Sequence, residues 1–138
     1  MADDYDIHVS VETHYLDHRS SPNEDRFVFA YTITITNYGK VGAQLLRRHW
    51  IVKDSDERVQ EVRGDGVVGE QPHLMPGESY QYTSGTVLET PVGTMEGSYQ
   101  MIADDGAQFD ATNPLFVLAA KQTLHKVREP EYRSSIYR

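Results

Sequence analysis

The chain has no cysteine, which excludes disulfide staples, thiolate zinc sites and cysteine nucleophiles together and leaves the fold to rest on packing. The same absence agrees with a reducing compartment. No stretch approaches the roughly eighteen consecutive apolar residues that a membrane helix requires, so membrane insertion is not expected. A sustained 3.6-residue apolar period is also missing, and helix content should be small. Base is scarce. Thirteen Lys and Arg face 21 Asp and Glu, for a net charge of −8. Five bases (Lys121, Lys126, Arg128, Arg133, Arg138) and two acids (Glu129, Glu131) fall between 121 and 138. That end carries +3, which leaves −11 for residues 1 to 120, a body that repels a phosphate backbone; no nucleic-acid partner is expected. The opening Met-Ala-Asp-Asp-Tyr-Asp places acid where a secretory signal carries base, and no apolar run follows it. A cytoplasmic location is the expectation.

What is present is alternation. At 138 residues the chain is the size of one domain, whose folding hides roughly two thirds of the unfolded surface. Ile7, Val9, Val11 and Tyr15 alternate with His8, Ser10, Glu12 and His14, and Phe27 to Ile35 repeats the pattern after a cluster of turn formers at 20–25. Residues 37–40 turn the chain into a strand over 44–53, where Leu46, Trp50 and Val52 share one face and Arg47, His49 and Ile51 the other. Asp54-Ser55-Asp56 closes a hairpin. Residues 57–63 slip out of phase at Val59 and Val62, which predicts a bulge ahead of a glycine segment. Pro76-Gly77 marks a turn before the strand that begins at Tyr80 and Tyr82, and Thr90-Pro91-Val92-Gly93 ends that strand. Asp105-Gly106 predicts a two-residue hairpin between strands over 95–103 and 108–118. About seven strands without intervening helices give an all-β class, an immunoglobulin or fibronectin type III-like antiparallel sandwich. Trp50 and Tyr99 occupy the places of a core tryptophan and a corner tyrosine. The sandwich is expected over 1–125 and a basic tail over 126–138, where Tyr132, Ile136 and Tyr137 provide apolar anchors.

Gly64-x-Gly66-x-x-Gly69 matches the dinucleotide fingerprint letter for letter. That fingerprint works by delivering pyrophosphate to a helix N-terminus, and Glu70-Gln71-Pro72 to Pro76-Gly77 leaves no room for the helix. A glycine turn held for its own shape is the first reading; an anion nest for phosphate or pyrophosphate, built on Arg63, Gly64, Gly66 and Gly69 with help from Arg47 or Arg48, is the second. His14 and His18 share a strand face but stand roughly 13 Å apart, too far for one zinc ion. The acids at 3–6 and 104–105 lack the calcium-loop pattern and allow weak divalent-cation binding at most. No nucleophile elbow occurs, and Ser84 and Ser98 lie in strand-like sequence. No catalytic residue is assigned, no cofactor is required, and the chain reads as a non-enzyme.

Together, Gln44-Leu45-Leu46, Arg48-His49-Trp50 and the run from Glu61 to Pro72 resemble the bacterial ApaG family. Pro76-Gly77-Glu78, Tyr82 to Gly85, Glu89-Thr90-Pro91, Gly93 to Tyr99 and Pro114-Leu115-Phe116 with Leu118 agree in order and spacing. The resemblance spans roughly residues 5 to 125 and implies a fibronectin type III-like fold. It also implies links to cobalt tolerance and magnesium efflux, genes beside a dinucleoside tetraphosphatase, and a recognition role like that of related domains in F-box proteins. It assigns no catalytic residue, and it maps a suggested pyrophosphate site onto Gly64, Gly66 and Gly69. The expected function is a protein-interaction or small-ligand module tied to Co2+ and Mg2+ homeostasis, the alternative being phosphate or nucleotide binding at 63–69. A protein partner is expected, and exposed sheet edges also allow a homodimer.

Overall fold

The computed structural model describes residues 3–120, so the tail expected over 126–138 lies outside the described residues. The described residues form eight strands: β1 (Ile7–Tyr15), β2 (Phe27–Asn37), β3 (Ala43–Asp54), β4 (Val59–Asp65), β5 (His73–Leu74), β6 (Ser79–Leu88), β7 (Val92–Ala103) and β8 (Gln108–Ala119). Two three-residue 3-10 turns between β1 and β2 are the helical content among the described residues. Strands β1-β2-β6 make one sheet and β4-β3-β7-β8 the other, with β5 pairing on β3; every pairing is antiparallel. This is the expected sandwich class.

Because side chains alternate along a strand, Phe29, Ile33 and Ile35 on β2 face Leu45, Trp50, Tyr99, Met101 and Leu118 across the core. Each such burial contributes about 1.5–3 kcal/mol. Trp50 meets Tyr99 edge to face at 6.0 Å, the geometry that the ring quadrupoles favour. Tyr99 is no corner residue. It lies mid-strand in β7, fully buried, and its hydroxyl pairs with that of Tyr82 rather than with backbone.

The predicted bulge does not fall in β4, whose register runs unbroken from Lys53↔Val59 to Arg47↔Asp65. Val59 pairs with the exposed Lys53 on the outer face and Val62 with the buried Trp50 on the inner one, so the loss of phase reflects an apolar residue facing solvent rather than an inserted residue. The register shifts instead between Leu45 and Arg47 in β3, and again between Met95 and Gly97 in β7. The β3 shift places Leu45, not Leu46, in the core beside Ala43, while Arg48 keeps the phase of Trp50 and Val52 that plain alternation gives it. Two adjacent leucines gave no way to choose between them. The Asp105-Gly106 turn also differs from expectation. Ala103 and Ala107 close a three-residue loop in which Gly106 takes positive φ, because Gly106 N–H donates to the Ala103 carbonyl. Pro76-Gly77 forms the expected turn, with Gly77 at φ 89° and Glu78 N–H donating to Met75 O.

Candidate binding site

The glycine segment is a closed structural unit. Gly66 N–H donates to Leu46 O at 2.8 Å, and Val67 and Glu70 exchange both backbone bonds at 2.8 and 3.0 Å. They enclose a two-residue turn in which Val68 (φ 49°) and Gly69 (φ 80°) both have positive φ, the primed geometry that matches strand twist. Val67 anchors the turn in the core and Val68 projects into solvent. Gln71 Nε2 donates to Leu46 O at 3.0 Å, and the chain continues into β5 instead of a helix.

Arg48 holds the base of this unit. Its Nη1 donates to the carbonyls of Asp65 and Gly66 at 3.0 and 2.9 Å. Gly64 stands opposite Arg48 in the register, and a Cβ there would lie 2.8 Å from both Nη atoms, so glycine lets the guanidinium cross β4. At Gly66 a Cβ would lie 2.3 Å from Glu70 O, and the φ of 64° disfavours a side chain as well. Among the six candidate anion-site residues, Arg48, Gly64 and Gly66 therefore meet. Arg47 and Arg63 alternate onto the outer face, where Arg63 reaches Glu61 at 3.5 Å, and Gly69 sits at the turn tip. No carboxylate pairs with Arg48 among the described residues.

Arg48 faces a cluster of buried phenols contributed by both sheets. Tyr82 on β6 and Tyr99 on β7 share a hydroxyl hydrogen bond of 2.5 Å, and Tyr31 lies beside them. Burial pushes all three phenols above their ordinary pKa, and the nearby Arg48 cation opposes the rise. Tyr31 also gains a bond with Ser84 that lowers it.

The sandwich is closed along one side, where β1 packs on β8, Tyr5 stacks near Phe109 at 5.2 Å and Tyr5 donates to Asp105. On the other side the edges are β4 and β6, each bonded to one neighbour among the described residues. A cleft of about 140 Å³ opens between them, with Val52, Gln60 and Leu88 among its lining and Arg58 and Glu89, paired at 3.2 Å, at its rim. The two edges have unlike chemistry. β4 carries Glu61, Arg63 and Asp65 in seven residues. β6 runs for ten residues without a charge, a proline or a register shift against β2. Its inward side chains are Tyr80, Tyr82, Ser84, Thr86 and Leu88; outward, Ser79, Gln81 and Thr83 bond to Thr36, Thr34 and Thr32. Sequence reasoning missed this edge, since which strands end a sheet is a property of topology. The absence of charge between Glu78 and Glu89 was the signal available.

The remaining sequence candidates stay apart. His14 lies on β1 and His18 in the following turn, and no cluster of three or more metal-ligating side chains occurs among the described residues. Ser84 and Ser98 are strand residues, as read. No described helix is long and apolar enough to cross a membrane.

Comparison with known proteins agrees with this architecture. The family model described as the ApaG domain matches residues 17–103. Protein ApaG of Thiobacillus denitrificans is 60% identical over 121 residues, covering 88% of this chain and 95% of that protein. Protein ApaG of Pseudomonas aeruginosa is 58% identical, covering 88% and 96%. A crystal structure of an ApaA protein from Bordetella pertussis superposes with a TM-score of 0.87 at 49% identity, over 89% of this chain and 100% of that one. With its glycine turn, its open sandwich side and these relatives, the chain belongs to the ApaG domain family.

Proposed function

We propose that the chain is a non-enzymatic protein-binding module that receives an extended segment of a partner along β6. One observation carries the reading: β6 is a ten-residue sheet edge with no charge, proline or bulge. Sheet edges present unpaired N–H and C=O groups and are ordinarily blunted by such devices, as β4 is. An edge left plain suits strand addition, in which main-chain bonds supply affinity and alternate side chains supply selectivity. The rigid sandwich holds that edge ready, and any influence on Co2+ or Mg2+ handling is exerted through the partner. Peptides selected on the full-length chain from a random display library test the reading. Selected peptides should shift the amides of Ser79–Leu88 first and lose binding when alternate peptide nitrogens are methylated. Shifts centred elsewhere, or binding indifferent to methylation, would contradict it.

A second reading, phosphate or pyrophosphate beside the glycine turn, is favoured by the Arg48 guanidinium lying against Gly64 without a carboxylate partner among the described residues. It concerns Arg48 and the Gly64–Gly66 backbone, since Arg47 and Arg63 face away. Calorimetry with pyrophosphate tests it: saturable heat that disappears in Arg48→Gln supports the site, and absence of heat at millimolar ligand removes it.

A further inference from the structure

We infer that the segment received by β6 carries a carboxylate directed at Arg48 and, N-terminal to it on the same face, an apolar residue directed into the cleft beyond. This rests on the proposed docking at β6 and names the chemistry of the segment that docks. A strand added to β6 extends the β1-β2-β6 sheet across the open side, and every second side chain then points at β3 and β4. The inward faces it meets are defined. Gly64 and Arg48 stand level with Tyr99, which bonds to Tyr82 of β6, and Gln60 and Val52 stand level with the cleft that Leu88 also lines.

Arg48 is half-buried, spends Nη1 on two carbonyls, and has no carboxylate partner among the described residues. A guanidinium fork so placed matches a carboxylate in charge and in planar geometry. Val52 follows Arg48 by four residues on β3 and Leu88 follows Tyr82 by six on β6, both even spacings, so the two inward contacts fall on the same face of the added strand. All pairings in this sandwich are antiparallel. An antiparallel guest meets Leu88 before Tyr82, which puts its apolar residue N-terminal to its acid.

The probes are two blocked heptapeptides, Thr-Val-Thr-Val-Thr-Glu-Thr and the same sequence with Gln for Glu, titrated into the full chain and followed by amide shifts. The Glu peptide should bind roughly tenfold more tightly, because the charge-assisted bond replaces a neutral one. That preference should vanish in Arg48→Gln and persist in Arg48→Lys. The comparison on the unaltered protein stands even if Arg48→Gln fails to fold. Equal binding of the two peptides would overturn the carboxylate assignment and leave docking at β6 intact. If neither peptide moves the β6 amides, docking itself fails. If those amides shift with protein concentration alone, a second copy of the chain holds the edge and the inference is overturned.

Discussion

Strands β4 and β6 flank the same open side of the sandwich and solve the problem of a free edge in opposite ways. β4 is short and charged, and it is tied at both ends. At one end Asp54 accepts from Asp56 N–H, Arg58 N–H and Arg58 Nε at 2.8–3.0 Å. At the other, Arg48 fastens the carbonyls of Asp65 and Gly66 ahead of the glycine turn. β6 is longer, uncharged and straight, and is steadied on its outer face by hydroxyl and amide bonds to β2. The contrast teaches that the glycine signature belongs to the protected edge, whereas the unprotected edge carries only Tyr82 to Gly85 of the family resemblance, with no motif of binding chemistry. It also follows that substitutions at β4 should read out in stability and those at β6 in binding.

The largest effect is expected at Gly66. Gly66→Ala sets a Cβ against the Glu70 carbonyl at positive φ and should lower unfolding free energy in urea by about 2–4 kcal/mol. A change below about 1 kcal/mol would mean that the turn does not anchor β4. Gly64→Ala should cost less, since the atoms it meets belong to a flexible side chain.

Next comes the other tie. Burial pushes the Asp54 carboxyl up, but the N–H donors of Arg58 and Asp56 and the Arg58 guanidinium outweigh it and hold its pKa below the ordinary 3.8. A depressed carboxylate contributes stability above its unfolded pKa and loses it as pH falls through the folded one. Asp54→Asn should therefore be less stable than the parent near neutrality, and the gap should close as pH drops well below 3.8. Urea titrations across that range check the sign; a gap that is constant with pH would contradict the assignment.

Val68→Gly is expected to act in the favourable direction. A β-branched residue at φ 49° is held against its own preference, and relieving it at the exposed turn tip should raise stability by about 0.5–1 kcal/mol. Smallest in stability, yet sharpest for the comparison, is Thr83→Lys on the exposed face of β6. It should change unfolding free energy by no more than about 1 kcal/mol, through its lost bond to Thr32, while weakening peptide binding.

Much of the fold was legible because alternation is a direct imprint of a half-buried strand. The inward face of Trp50 and the two-sheet class followed from it, and the Pro76-Gly77 turn followed from the fixed φ of proline and the positive φ open to glycine. The β3 bulge did not, since Leu45 and Leu46 are equally apolar and only tertiary packing decides which one turns inward. Arg48 lies beyond that shift and shares the inward face of Trp50 and Val52 by alternation alone. The glycines were legible as a turn, yet the reason for Gly64 is a guanidinium from another strand, information that local sequence does not hold. The position of β6 at a sheet edge was hidden for a further reason: an edge is defined by topology, not by local pattern. The two-residue β5 was too short to leave any period.

Hydrogen exchange on the full chain, with and without a saturating selected peptide, tests the central claim most directly, because it reads backbone pairing rather than proximity. Alternate amides within Ser79–Leu88, those directed away from β2, should gain protection when peptide is bound, while Val59–Asp65 should remain unchanged. Protection gained along β4, or none gained along β6 at saturation, would contradict the account.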